Sequence, residues 1–199
     1  MLSCAAIIVA ACAHMAAQED ATPAAVALMK KDFKSRGQAT LDRLDQDELA
    51  AQCTRYAREP MPKDLEARIE KEQLEAVKYP ADGKYLGDWK AGEAVAQSGV
   101  GKQWSDDPSK PSGGNCYACH ELSDTELSFG TIGPSLRNYG KLRGNSPEMQ
   151  RYTFAKVYNS QAFVACSSMP RFGHKGILTE KQIKDVVALL LDPASPVNK

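Results

Sequence analysis

Two cysteines and a histidine stand together in Cys116-Tyr117-Ala118-Cys119-His120. In a C-x-x-C-H string each thiol can add across a vinyl group of haem, and the adjacent imidazole then reaches the iron from the proximal side. The cofactor implied is one covalently bound haem c, tethered by Cys116 and Cys119, with His120 as the first axial ligand. A thioredoxin-type C-x-x-C would call for a strand–helix context, and half a zinc site for a second ligand pair. The chain offers neither.

A second axial ligand is expected C-terminal to the motif. Met169, in Ser168-Met169-Pro170, precedes the last helix. A thioether stabilises ferrous iron better than a second imidazole and so raises the potential. Met149 and His174 are the alternatives. Met149 stands at the start of a helix, where a core or surface role fits it better. His174 would give bis-His ligation and a lower potential, against the plainer reading of a core or exposed histidine.

His120 also needs an acceptor for its other ring nitrogen. Gly133-Pro134-Ser135-Leu136 follows the motif where small cytochromes c have a Gly-Pro-x-Leu segment, and the Pro134 carbonyl is the candidate, although Gly-Pro turns are common. Arg171 suits a haem propionate, since guanidinium binds carboxylates in a bidentate fork; a surface role suits it equally. Trp89, Tyr117 and Phe172 read as packing around the porphyrin. No nucleophile–base pair, phosphate loop or further metal cluster is visible, so the visible chemistry is one-electron transfer.

The 199 residues suffice for one cored domain, or a small domain with a long extension. The 25 basic and 25 acidic residues balance, which argues against a nucleic-acid or polybasic membrane surface. Aromatics are only 7%, so a bound haem would contribute much of the apolar core.

Residues 1–17 carry no charge, and their apolar run is too short to span a bilayer, so they read as a signal peptide or lipoprotein leader. Val9-Ala10-Ala11-Cys12 resembles a lipobox, while Ala11-Cys12-Ala13 fits ordinary cleavage. Ordinary cleavage is the preferred reading, and membrane attachment is expected only if Cys12 is lipidated. Both routes lead to the bacterial periplasm, the compartment in which C-x-x-C-H haem attachment takes place. In that oxidising setting Cys53 and Cys166 are most simply a disulfide, the alternative being two separate buried thiols. It would tie an N-terminal helix to the segment before Met169 and, in the chain-entropy model, contribute roughly 4–5 kcal/mol.

The elements that must position these residues are helical. Helices are expected over 21–36, 42–58 and 63–79, forming an N-terminal extension over 18–79. A composition shift places the haem domain at 80–199. Asp88–Ala96 opens it as a short helix, and 99–114 is a Gly-, Pro-, Asp- and Ser-rich loop leading into the motif. Residues 121–144 read mostly as loop and 150–161 as helix. Thr179-Glu180-Lys181-Gln182 matches a capping box ahead of a final helix with Ile183, Val186, Val187 and Leu190 inward. No segment demands a sheet. The fold expected is all-α, a class I cytochrome c-like haem domain with an N-terminal helical extension.

Five strings resemble the SoxX family, the small cytochrome subunits of bacterial SoxAX thiosulfate-oxidising complexes. They are 87–93, 113–120, 130–136, Cys166-Ser167-Ser168-Met169-Pro170-Arg171-Phe172-Gly173 and 191–198. The resemblance covers about residues 80–199, and the Met-Pro-Arg-Phe-Gly string carries it; the extension resembles longer members less specifically. It implies an L-cysteine S-thiosulfotransferase that joins thiosulfate oxidatively to a carrier-protein cysteine. The implied partners are a SoxA-type cytochrome subunit bearing the catalytic haem, a SoxYZ-type carrier and a soluble cytochrome c acceptor. This chain would be the electron relay and not itself catalytic. A free-standing periplasmic carrier cytochrome would share the haem domain but leave the extension unexplained. A haem enzyme or gas sensor would need an open sixth position, against which Met169 argues.

Overall fold

A computed structural model describes residues 22–199. The leader expected over 1–17, with Cys12, lies outside the described residues. Those described form α-helices and short 3₁₀ turns without a β-strand; the extended pairing among them is an isolated bridge between Arg36 and Ala39. The all-α expectation holds.

The chain divides into two compact units, the first ending at Lys34 and the second running Ser35–Lys199. The described part of the first is α1, Thr22–Asp32, closed by a bond from Phe33 N–H to the Met29 carbonyl at 2.9 Å. Gly37 does not end this helix as expected. It takes φ +53° in the turn bridged by Arg36 and Ala39, a left-handed conformation that glycine adopts without penalty.

In the second unit the helix expected over 42–58 is broken. Leu41–Leu44 forms a 3₁₀ turn, and α2 starts afresh at Glu48–Arg55. The restart follows from Asp47, whose carboxylate accepts from Ala50 N–H at 2.8 Å and satisfies an end donor. The third element, α3, is Lys63–Glu75.

The boundary expected near residue 80 is not a break in packing. Asn159, fully buried, donates its amide to the Gln73 carbonyl at 3.1 Å and to Gln73 Oε1 at 3.0 Å. Ala165 N–H donates to Glu70 at 3.1 Å, and Val77 belongs to the same core as α7. Residues 35–79 are therefore part of the larger unit. Sequence composition marks where the chain becomes less polar, whereas the polar side chains of α3 face the body as well as solvent.

Two helices far apart in sequence frame the core of the larger unit. Asp88 caps α4, Trp89–Gln97, by accepting from Lys90 N–H at 2.9 Å. Thr179 and Gln182 form the expected capping box on α7, Glu180–Leu191, in which Ile183, Val187 and Leu189 are fully buried. The helices touch at Gly92, where a Cβ would stand 2.1 Å from the Asp185 carbonyl oxygen and 3.0 Å from the Leu189 Cβ. The buried Asp185 carboxylate accepts from Asp88 N–H at 2.9 Å and pairs with Lys181 at 2.7 Å.

Two more helices complete the unit. The short α5, Tyr139–Arg143, lies within the segment expected to be mostly loop. Its end donors on Gly140 and Lys141 reach the side-chain oxygen of Asn198 at 2.8 and 3.2 Å, a contact 58 residues away that no local pattern announces. Ser146 then caps α6, Pro147–Tyr158, with proline in its first turn. Phe154 of α6 is fully buried, with its ring centroid 5.6 Å from Tyr85 and 6.0 Å from Tyr158.

Candidate haem site

The C-x-x-C-H motif lies on a 3₁₀ turn, Cys116–Ala118, entered through Asn115 in the left-handed region at φ +45°. His120 N–H closes onto the Cys116 carbonyl at 2.9 Å. Tyr117 is buried, and its hydroxyl lies 3.2 Å from Ser123 Oγ. Cys116 and Cys119 are half-buried and not disulfide-bonded. Burial pushes the Cys116 thiol up to about 12, so at neutral pH it is protonated.

The segment after the motif is laid against it by backbone bonds. Gly130 N–H donates to Tyr117 O at 2.8 Å, Gly133 N–H to Cys119 O at 2.8 Å, and Leu136 N–H to Glu121 O at 2.7 Å. This brings Pro134 to His120, where Nδ1 stands 2.7 Å from the Pro134 carbonyl oxygen. A carbonyl can only accept, so Nδ1 carries the proton and Nε2 is the nitrogen left for a metal. Gly133 lies flat against the ring: a Cβ there would come within 2.2 Å of Cε1, 2.4 Å of Nδ1 and 2.7 Å of Nε2. The imidazole is thus held by a hydrogen bond at one edge and a side-chain-free wall beside it. Gly133 was not singled out by sequence reasoning, and the signal available was its place in the Gly-Pro segment.

The candidates for the second axial position differ in their surroundings. Met169 is half-buried at the margin of the main core, as is Cys116. Its carbonyl accepts from Ser160 Oγ at 2.5 Å and its N–H donates to Ser167 Oγ at 3.2 Å. No hydrogen bond among the described residues engages its sulfur. The Met149 sulfur instead takes the Tyr139 hydroxyl at 3.8 Å, which fits a packing residue. His174 is exposed, with its backbone N–H on the Tyr158 carbonyl; partial burial, Arg171 and Lys175 together push its ring below the ordinary histidine value.

Arg171 has a partner inside the protein. Its Nη2 pairs with Asp47 Oδ2 at 2.6 Å, and Lys175 Nζ meets the same oxygen at 2.6 Å. The guanidinium end is thus engaged with a carboxylate of the protein. Burial raises the Asp47 carboxyl, but hydrogen bonds from Lys175, Ala50 N–H and Arg171 outweigh it and hold the group well below the usual carboxylate range. Cys53 of α2 is bonded to Cys166, with Cα atoms 5.4 Å apart. Tyr117 and Phe172 are both core residues, and Trp89 is half-buried.

The donor set suits haem. Two unpaired thiols, an imidazole with one nitrogen fixed and one available, and a thioether with no hydrogen bond at its sulfur are the groups that covalent haem ligation uses. No group of three or more His, Cys, Asp or Glu side chains converges among the described residues, so a bare cation has no ready-made cage there. A cavity of about 580 Å³ beside the motif is lined by Gln97, Tyr117, Glu126 and Phe129, among others, and by neither thiol nor the imidazole. Asn115 and Ala118, which flank the motif thiols, also line it.

No helix among the described residues is long and apolar enough to cross a membrane. No protein-family model matches the chain. Over 136 residues it is 44% identical to an uncharacterized lipoprotein of Aquifex aeolicus (strain VF5), a match covering 67% of this chain. The chain spans 63% of that protein's length.

Proposed function

We propose that the chain is a c-type cytochrome of the SoxX kind, working in the bacterial periplasm as the electron relay of a thiosulfate-oxidising complex. The observation that carries the cytochrome reading is the fixed imidazole: His120 is held by Pro134 and walled by Gly133, next to two unpaired thiols. Covalently attached haem would supply a one-electron centre at this place. The protein's part would be to tether it through Cys116 and Cys119 and to hold it with His120 Nε2 and the Met169 thioether. Pro134 keeps the His120 proton on Nδ1, which fixes the ring's orientation and leaves Nε2 as the ligand nitrogen.

The finer assignment rests on the SoxX-like strings. In that role a carrier thiol and thiosulfate form a new S–S bond, releasing one proton and two electrons. Haem would supply the one-electron steps by which these electrons pass singly from a SoxA-type partner through this chain to a soluble cytochrome c. The description of the Aquifex relative as a lipoprotein adds weight to the lipobox reading of Val9-Ala10-Ala11-Cys12, by which a lipid on Cys12 would tether the chain to the envelope.

The test is recovery of the tagged chain from the periplasm of its host grown on thiosulfate. A denaturing gel should show haem still attached, and a second haem protein should co-purify in stoichiometric amount. A monomer exchanging electrons with many partners would favour a free-standing carrier. Absence of gel-stable haem would overturn the cytochrome reading altogether.

A further inference from the structure

The segment carrying Met169 is held from outside by residues of 35–75. At position 166 the chain is bonded through sulfur to Cys53 of α2. One residue earlier, Ala165 N–H donates to Glu70 of α3 at 3.1 Å. Beyond Met169, Arg171 and Lys175 both close on Asp47, the residue that caps α2. The two ends of one short helix, Asp47 and Cys53, thus grip the chain on either side of Met169.

Cys166 itself sits in the left-handed region at φ +58°, a backbone state that a non-glycine residue keeps only when its surroundings impose it. The Met169 carbonyl is bonded to Ser160, whose turn packs on α3. Arg171 has only 10% of its side chain exposed, so its pair with Asp47 is shielded in a way that ordinary surface pairs are not.

We propose that α2 and α3 form a clamp that fixes where the Met169 thioether is presented, with Asp47 and Cys53 as positioning residues for the second axial ligand. This deepens the cytochrome reading and rests on it. The extension is then part of the redox centre's framework. An unclamped loop of this length, with the exposed His174 five residues further on, would sample several placements of its side chains, and the iron's sixth ligand would be correspondingly variable.

The test compares the full chain with Asp47→Asn, Asp47→Glu and the double variant Cys53→Ala/Cys166→Ala, using two readouts. Amide exchange across 164–175 should accelerate at least about tenfold in Asp47→Asn and in the double variant while α4 and α7 keep their protection, the signature of local opening. Asp47→Glu should recover part of the loss. In haem-loaded protein the Met–iron charge-transfer band should weaken and the reduction potential should fall in the same order. Uniform acceleration through α4 and α7 would show plain destabilisation and overturn the clamp. An unchanged band and potential in a folded Asp47→Asn protein would overturn it as well. If no haem is attached at all, the cytochrome reading fails, while amide exchange still reports whether 164–175 is held.

Discussion

The two halves of the candidate site are built by opposite means. The imidazole half, residues 116–136, is held by partners close in sequence: His120 to Pro134 spans 14 residues, and the bonds beside it are backbone to backbone. The thioether half, residues 160–175, is held by side chains 95 to 128 residues away, through Glu70, Asp47 and Cys53. A local motif can form its geometry wherever it is placed. The Met169 segment adds these distant partners to its near ones, Ser160 and Ser167, so on the proposed reading the potential of the centre and its ability to be loaded would be separable properties.

The largest effect should come from the first half. Replacing Cys116 and Cys119 with serine should abolish gel-stable haem entirely, because the thioether tethers can no longer form. The second half is broken most strongly by Cys53→Ala/Cys166→Ala, which should cost up to about 4–5 kcal/mol in urea unfolding, given the loop it closes. Haem attachment should survive this change. If attachment were lost too, the two halves would not be separable.

A finer cut is Gly133→Ala. The new methyl would collide with the His120 ring, and overpacking of this kind costs about 1–3 kcal/mol. Its mark should be a changed haem spectrum with normal exchange rates across 164–175. The Asp47 contact gives a pH signature. Its folded-state carboxyl sits below the unfolded value of 3.8, so its stabilisation is present above about pH 4 and is lost as pH falls below that. Thermal midpoints of the parent and Asp47→Asn proteins should therefore keep their separation above about pH 4 and converge as pH is lowered below it. The smallest effect belongs to Lys63→Ala. That lysine pairs with Glu66 in solvent, and thermal unfolding should not change measurably.

What could be read from the chain follows the same division. The motif, the Gly-Pro segment and the capping box at Thr179 are local patterns, and the structure contains each of them where the residues place it. The restart of α2 at Asp47 was also within reach, since an aspartate three residues before a helical N–H is an ordinary cap. What escaped was the company kept at a distance. Nothing near Arg171 names Asp47 as its partner, and α5 depends on Asn198 at the far end of the chain. Gly133 was visible as a turn residue, but its contact with the imidazole depends on how two loops lie together.

The bond between Cys53 and Cys166 also bears on how the molecule is made. Cys116 and Cys119 lie between its two sulfurs in the chain, so synthesis delivers both motif thiols before the partner that Cys53 requires. Four thiols can be fully paired in three ways, and two of those join Cys53 to a motif cysteine. On the proposed cytochrome reading, capturing Cys116 and Cys119 as thioethers before the oxidant acts would remove both wrong pairings, and the timing of cofactor loading would then determine yield.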